Sequence, residues 1–157
     1  MIRLATVAMC WISFAALAAD TPFKYQGFNM MAFGKSEYAN LDLVVKSLDY
    51  IVAEGSKLVT IDWNVTVADD GSVLSTSDPA SFEPMDTDIK RVIELAHQRG
   101  LNVFLKPHVG FPNDPFSNRG TWNTDMTKFS LAKFFGDWTA YLHGWGVVAS
   151  AMSVEGL

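Results

Sequence analysis

The sequence predicts an α/β fold in which parallel strands alternate with helices. Short apolar segments rich in β-branched residues are each followed by a longer segment with apolar residues at helical spacing. Glycines stand at the ends of the first two predicted helices, and polar, turn-forming segments follow the second and third predicted strands. Because strands that alternate with helices are joined by crossover connections, we expect a parallel sheet.

The first strand–helix unit is predicted over residues 25–55. Residues 25–31 form the expected strand, and residues 36–54 form a helix that ends at Gly55. Apolar residues in the helix recur at steps of three and four, which places them on one face. They are Leu41, Val44, Val45, Leu48, Ile51 and Val52.

The second and third units follow the same order. Residues 57–63 are the second predicted strand, and a long polar connection covers residues 64–84. A helix is expected to begin at Asp86 or Thr87 and to end at Gly100. Residues 100–109 then contain the third strand. The expected buried side of this helix consists of Ile89, Val92, Ile93 and Ala96.

The last predicted helix covers residues 127–152, after a second long loop over residues 109–126. Gly144 and Gly146 each weaken it by up to about 1 kcal/mol relative to alanine, so the sequence is compatible with a bend there. Residues 154–157 are predicted to lead into a fourth strand. The expected buried face of the helix is Phe135, Trp138, Leu142, Trp145, Ala149 and Met152.

Two parallel architectures fit this order, a doubly wound sheet and a (β/α)8 barrel. The first strand is not followed by a dinucleotide-binding glycine motif, and residues 34–36 (GKS) lack the earlier glycine of a phosphate loop. Long loops after strands two and three favour the barrel. Since a barrel typically takes about 250 residues, we expect residues 20–157 to be an incomplete barrel of about three βα units. The chain is then either the N-terminal part of a longer protein or a truncated gene product.

Residues 1–19 have the layout of a secretory signal peptide. Arg3 precedes an apolar segment that ends in a small-residue cleavage site, so cleavage is expected after Ala18 or Ala19. The apolar segment is shorter than the roughly 20 residues of a membrane-spanning helix. We therefore expect a secreted or periplasmic protein without a membrane anchor after cleavage. The only cysteine, Cys10, would be removed with this segment.

The charge of the chain bears on its partners. The formal net charge is −5, and no basic cluster is present, so a nucleic-acid partner is not expected. Asp62 and His108 could be interpreted as a metal pair, but two ligands without a characteristic spacing are weak evidence. We predict neither a metal site nor a cofactor.

Polar and aromatic residues near predicted strand ends are the candidates for ligand binding. Lys106 and His108 lie on the same face of the third strand, because alternate residues of a strand share a face. For each candidate a structural role, such as an ion pair or packing, is the alternative. The predicted substrate-binding residues are Asn29, Trp63, Asn64, Lys106, His108, Arg119 and Trp122. By contrast, Trp138, Tyr141 and Trp145 are expected to pack the last helix onto the sheet.

Several segments together resemble β-mannanase-like glycoside hydrolases of clan A, family 113, which are TIM barrels. Residues 105–109 (LKPHV) resemble the third-strand motif of that family. The other similar segments occur in the same order as in the family: residues 77–79 (SDP), Arg119-Gly120 followed by Trp122, and the aromatic residues of 134–141. The family often has tryptophan where this chain has Asn118.

The resemblance implies hydrolysis of O-glycosidic bonds in a β-linked, mannan-like polysaccharide by the full-length protein. Retaining glycosidases use two carboxylates about 5 to 5.5 Å apart. In the family these follow strands four and seven, so they are expected beyond Leu157, and this chain would supply part of the substrate wall. The alternatives are a non-catalytic secreted carbohydrate-binding protein or pseudoenzyme, or another barrel enzyme such as a deacetylase or phosphate-dependent lyase.

Overall fold

The computed structural model describes residues 26–32, 35–74, 86–110 and 128–157. Within them, strands and helices occur in the predicted order, which confirms the α/β class. The strands are β1 (Phe28–Ala32), β2 (Leu58–Thr66) and β3 (Asn102–Gly110), and the helices are α1 (Lys35–Ala39), α2 (Leu41–Ala53), α3 (Asp86–His97) and α4 (Leu131–Ala151).

The three strands form one parallel sheet in the order β1-β2-β3. Met31 of β1 is paired with Asp62 of β2, and Asp62 is paired with Lys106 of β3. Strands that neighbour each other in both sequence and space, joined through helices, are the arrangement of a barrel rather than of a sheet that reverses its strand order. The sheet is open, and it corresponds to part of a (β/α)8 barrel.

Residues 154–157, predicted to lead into a fourth strand, lie beside β3. Gly156 forms a parallel bridge with Phe104, and the amide of Leu105 donates to the carbonyl of Gly156 at 2.8 Å. Glu155 contacts Val103 twice. Its amide donates to the Val103 carbonyl at 2.9 Å, and its Oε2 accepts from the Val103 amide at 2.6 Å.

Alternate residues of the strands lie on two different faces. We call one the covered face, because its residues share a buried cluster with the helices. We call the other the open face; it carries Asn29, Thr60, Asp62, Asn64, Phe104, Lys106 and His108. On the covered face lie Ala32, Val59, Ile61, Trp63, Val65, Val103 and Leu105.

The first predicted helix is two helices in the structure. The chain turns at Asn40, whose side-chain Oδ1 accepts a hydrogen bond from the amide of Leu43 at 3.2 Å and caps α2. The buried part of the predicted apolar face is also narrower than expected. Val44, Leu48 and Ile51 are buried, whereas Leu41 and Val52 are exposed.

Helix α3 agrees with its prediction. It begins at Asp86, and its four predicted buried residues are all fully buried. Burial raises the pKa of the Asp86 carboxyl, and the charge of Lys90 opposes this effect. The glycines that follow α2 and α3 have positive φ angles, 79° at Gly55 and 70° at Gly100, as expected for residues that end helices.

Helix α4 starts later than predicted, and one aromatic residue that was expected in the core, Phe135, faces solvent. Ser130 caps the helix by accepting a hydrogen bond from the amide of Lys133 at 3.2 Å. Phe134 is buried, while Phe135 is 59% exposed, so the prediction that Phe135 faces the core was wrong by one position. The helix is continuous through Gly144 and Gly146.

The polar connection after β2 begins later than predicted, because β2 continues to Thr66 and then enters a hairpin, residues 66–74. Val67 bridges Val73 in antiparallel orientation, and its amide donates to the carbonyl of Gly110 at 2.8 Å. Val67 also packs against Phe129 and Phe134 in a second small core. The hairpin therefore joins the end of the sheet to the start of α4.

Hydrogen bonds reinforce this contact and lower the pKa of two aspartates. The Ser72 hydroxyl and amide bind Asp70 and lower the pKa of its carboxyl. The ammonium of Lys133 binds Asp137 at 3.0 Å and lowers the pKa of that carboxyl, with a smaller effect from the Val73 amide. Both carboxylates are exposed to solvent, so these contacts orient the side chains but contribute little to the free energy of unfolding.

Several predicted features lie outside the described residues. They are the signal peptide of residues 1–19, the segment 77–79, Asn118, Arg119 and Trp122. In the part of the chain that the structure describes, no helix combines the length and apolar character needed to cross a membrane.

Candidate functional site

Four polar side chains meet on the open face near the C-terminal ends of β2 and β3. We call them the strand-end cluster: Asp62, Asn64, Lys106 and His108. The register of the two strands places Asp62 beside Lys106 and Asn64 beside His108. Because paired residues of parallel strands share a face, this register brings the four side chains together. In parallel α/β folds this edge of the sheet is where active sites lie.

Asp62 and His108 form the closest contact in the strand-end cluster. Nε2 of His108 lies 2.8 Å from each carboxylate oxygen of Asp62, with hydrogen-bond geometry toward Oδ2. Among the described residues, Oδ1 has no hydrogen-bond partner. Asp62 is only 3% exposed. A buried carboxylate is costly unless it is paired, so this contact accounts for the presence of aspartate inside the sheet.

Lys106, which is paired with Asp62 in the register of β2 and β3, is a second partner of the Asp62 carboxylate. Its Nζ lies 3.7 Å from Oδ2 of Asp62, which is an ion-pair distance but too long for a hydrogen bond. The Lys106 side chain is 48% exposed, whereas that of His108 is 19% exposed. The cluster therefore has a buried negative charge beneath donor groups that reach solvent.

Tyr38 of α1 supports Asp62 from the backbone side. Its hydroxyl lies 2.7 Å from the carbonyl of Asp62, is also within hydrogen-bonding distance of the carbonyl of Met30, and accepts from the amide of Asp62 at 3.2 Å. Burial raises the pKa of the Tyr38 phenol well above its ordinary value of 10.0. Sequence reasoning missed this residue, since nothing in the pattern of α1 marks one tyrosine as a contact between strands.

The structure brings together three of the predicted substrate-binding residues, Asn64, Lys106 and His108. Asn29 lies on the same open face and is exposed, but it is paired with Thr60, one step below Asp62 on that face. Arg119 and Trp122 lie outside the described residues. Asp62, which the sequence indicates only as half of a possible metal pair, contacts both Lys106 and His108.

Trp63 lies on the covered face, so its predicted place in a substrate cleft is not supported. It is fully buried, its ring packs against Trp145 at a centroid distance of 4.9 Å, and its Nε1 donates to the hydroxyl of Tyr141 at 2.9 Å. Trp138 stacks on Tyr141 and packs against the same core. These contacts confirm the packing role predicted for the aromatic residues of α4.

The strand-end cluster has the chemistry of a hydrogen-bonding surface. An amide, an ammonium and an imidazole present donors and acceptors that suit hydroxyl groups. Asp62 is the only carboxylate in β1, β2 and β3, and it is hydrogen-bonded to His108. The described residues contain no group of three or more His, Cys, Asp or Glu side chains placed to hold a metal ion.

No protein-family model matches this chain, and no curated protein sequence does so. Solved structures do match. The β-mannanase AaManA of family GH113 from Alicyclobacillus acidocaldarius, solved in complex with ManMIm, has a TM-score of 0.64 and 22% identity, over 82% of this chain and 42% of its own. Two structures of GH113 β-1,4-mannanase, one of them a complex, have TM-scores of 0.60 and 0.59 at 18% and 16% identity.

The fold is that of the N-terminal part of a GH113-like barrel. This chain spans about 42% of the length of the first two matched structures and 43% of the third. The likeness confirms the predicted barrel fold and, at the level of fold, the resemblance to β-mannanases. At these identities it shows the fold alone, so activity and substrate are argued from the site.

Proposed function

We propose that this chain forms the first three βα units of a glycoside hydrolase that cleaves O-glycosidic bonds in a β-linked, mannan-like polysaccharide. The observation that carries the proposal is the strand-end cluster. Asn64, Lys106 and His108 meet at the C-terminal edge of a parallel sheet, and the matched structures of that fold are β-mannanases. We also propose that residues 1–19 direct the protein to the periplasm or outside the cell.

The chemistry of the cluster supports binding of a polyol. Lys106 is half-exposed and donates without accepting, the Asn64 amide can do both, and Nε2 of His108 is engaged by Asp62. Sugar hydroxyls need such mixed partners, because each one both donates and accepts. Asn29, exposed on the same face of β1, extends this surface toward the first strand.

Hydrolysis needs two carboxylates at a fixed separation, one as acid/base and one as nucleophile. The three strands described contain one carboxylate, and it is paired with His108. We therefore propose that this chain contributes to substrate binding, and that the two catalytic carboxylates come from other strands of the barrel. The chain alone is expected to bind glycan without hydrolysing it.

Calorimetric titration of the protein with β-1,4-mannohexaose tests this proposal, with cellohexaose as the comparison sugar. Lys106→Ala should weaken binding about tenfold, because it removes the most exposed donor of the cluster. Lys46→Ala, which removes an exposed lysine from α2, is the matched control and should leave affinity unchanged. Equal affinities for the wild type and Lys106→Ala, or no binding of either sugar, would contradict the proposal.

The alternative function, a non-catalytic carbohydrate-binding protein, differs in turnover. It predicts that the protein in its natural full-length form binds mannohexaose but releases no reducing ends from β-mannan. The proposed hydrolase releases them. A reducing-sugar assay on protein isolated from its own host distinguishes the two.

A further inference from the structure

We infer that Asp62 is the positioning residue of the strand-end cluster: it fixes the ring of His108 through Nε2 and holds Lys106 beside it. The substrate class in this inference rests on the proposed function. The contacts themselves do not, because they are present in the structure without any ligand.

The position of Asp62 argues that this carboxylate is held for a purpose beyond solubility. It is buried at the centre of the three strands, where an unpaired charge would be costly. Its partners both come from β3, His108 at 2.8 Å and Lys106 at 3.7 Å. One buried acceptor therefore acts on two side chains that lie nearer to solvent.

The chemistry of the pair decides the tautomer of His108. An ionised carboxylate only accepts hydrogen bonds, so Nε2 must carry the proton that the contact uses. A hydrogen bond at one ring nitrogen sets the protonation and the orientation of the whole imidazole. Asp62 thus determines both the direction of the ring and the atom that bears its hydrogen.

Asp62 is itself rigidly placed, as a positioning residue must be. β2 is hydrogen-bonded to a strand on each side, and the hydroxyl of Tyr38 binds both the amide and the carbonyl of Asp62. A side chain that orients others needs its own backbone locked by packing and hydrogen bonds. Tyr38, Asp62 and His108 therefore form a chain of contacts from the helix layer to the open face.

Nuclear magnetic resonance of the ¹⁵N-histidine-labelled protein tests the contact directly. A ring N–H held by a carboxylate exchanges slowly with water, so Nε2–H of His108 should give a resonance, assigned by its absence in His108→Gln. Asp62→Leu removes the acceptor and should abolish the signal. Asp62→Asn keeps the size and one acceptor oxygen but removes the charge, and should speed exchange at least tenfold. Thr60→Val, on the same strand and face, should leave the signal unchanged.

Titration of the same variants with β-1,4-mannohexaose tests the consequence for binding. Asp62→Leu and Asp62→Asn should bind at least tenfold more weakly than the wild type, whereas Thr60→Val should stay within twofold. Circular dichroism establishes that each variant is folded. Should Asp62→Leu fail to fold, Asp62→Asn decides both measurements.

Two results would overturn the inference: a ring signal that persists unchanged in the Asp62 variants, or a lost signal with unchanged glycan affinity. If the wild type binds no glycan, the proposed function fails, and the ring spectra alone decide whether Asp62 fixes His108. The two failures are therefore distinguishable.

Discussion

The two faces of the sheet are built from alternate residues of the same strands, yet they differ in almost every property. On the covered face of β2, Val59, Ile61, Trp63 and Val65 are fully buried against the helices. On the open face of the same strand, Asp62 and Asn64 meet Lys106 and His108 of β3. One face is a dry core, and the other is a set of paired polar groups that reaches solvent.

The two faces of one strand therefore differ in what they contribute to stability. Fully burying a large apolar side chain contributes about 1.5 to 3 kcal/mol, so the covered face accounts for much of the stability of the fold. The polar pairs of the open face add little net stability, because the cost of desolvating charges offsets their attraction. The pairing of Asp62 with His108 makes its burial tolerable, and under the proposed function these polar groups are available for ligand binding.

The largest expected effect comes from breaking the covered face. Trp63→Ala removes a fully buried ring, its contact with Trp145 and its hydrogen bond to Tyr141, and should cost about 3–5 kcal/mol of unfolding free energy. Asn64→Ala, at the next position but on the open face, should cost no more than about 1 kcal/mol. Urea denaturation followed by fluorescence measures both. Equal losses would show that the two faces do not differ as described.

Tyr38→Phe should have the next largest effect, because Tyr38 connects the helix layer to the backbone of Asp62. Removing its hydroxyl leaves buried backbone groups without this partner, at a cost of about 1–3 kcal/mol. Tyr50→Phe is the matched control, since Tyr50 is exposed, and should change stability by less than about 0.5 kcal/mol. Thermal unfolding of the two variants makes the comparison.

Tyr38 should also make the free energy of unfolding depend on pH in the alkaline range. Burial raises the pKa of Tyr38 in the folded state, so the unfolded chain releases this proton first, near 10.0. Stability is therefore unaffected below about pH 10 and falls as pH rises above it. Tyr38→Phe should make the decline between pH 9 and 11 shallower than in the wild type. An unchanged slope would exclude a buried, protonated Tyr38.

The smallest expected effect concerns the edge of the sheet at β3. Glu155→Ala removes the carboxylate that accepts from the Val103 amide at 2.6 Å and should cost about 1 kcal/mol. Exchange of the Val103 amide should then be faster by about tenfold, measured by hydrogen exchange. The amide of Leu105, which donates to the Gly156 carbonyl, should keep its protection if Glu155 acts only locally. Loss of both would show that Glu155 holds all of residues 154–157 beside β3.

Sequence patterns predicted helices and strands well where residues of one kind recur at a regular helical or strand spacing. The four buried residues of α3 and the shared face of Lys106 and His108 were both correct, because helical and strand periods are local properties. The errors came where one hydrogen bond decided the outcome. Asn40 ends α1 and caps α2, and no apolar spacing reports that break. Ser130 likewise delays the start of α4.

The candidate site could be predicted only in part. Strand periodicity indicates which residues share a face but not which face the helices cover. The sequence alone therefore predicts Trp63 as a ligand-binding candidate, although its ring faces α4. Asp62, by contrast, belongs to the candidate site but could not be identified from the sequence pattern. Its partner lies 46 residues away in the chain, and only the register of β2 against β3 brings the two together.

The amino-acid sequence was sufficient for the class of fold, for the order of its elements and for the shared face of Lys106 and His108, because these depend on local periodicity and on breakers such as Gly55 and Gly100. Tertiary structure alone decided the pairing of Asp62 with His108, the support from Tyr38 and the burial of Trp63. Each of these depends on a contact between residues far apart in the chain, and such contacts exist only once the strands are in register and the helices have covered one face.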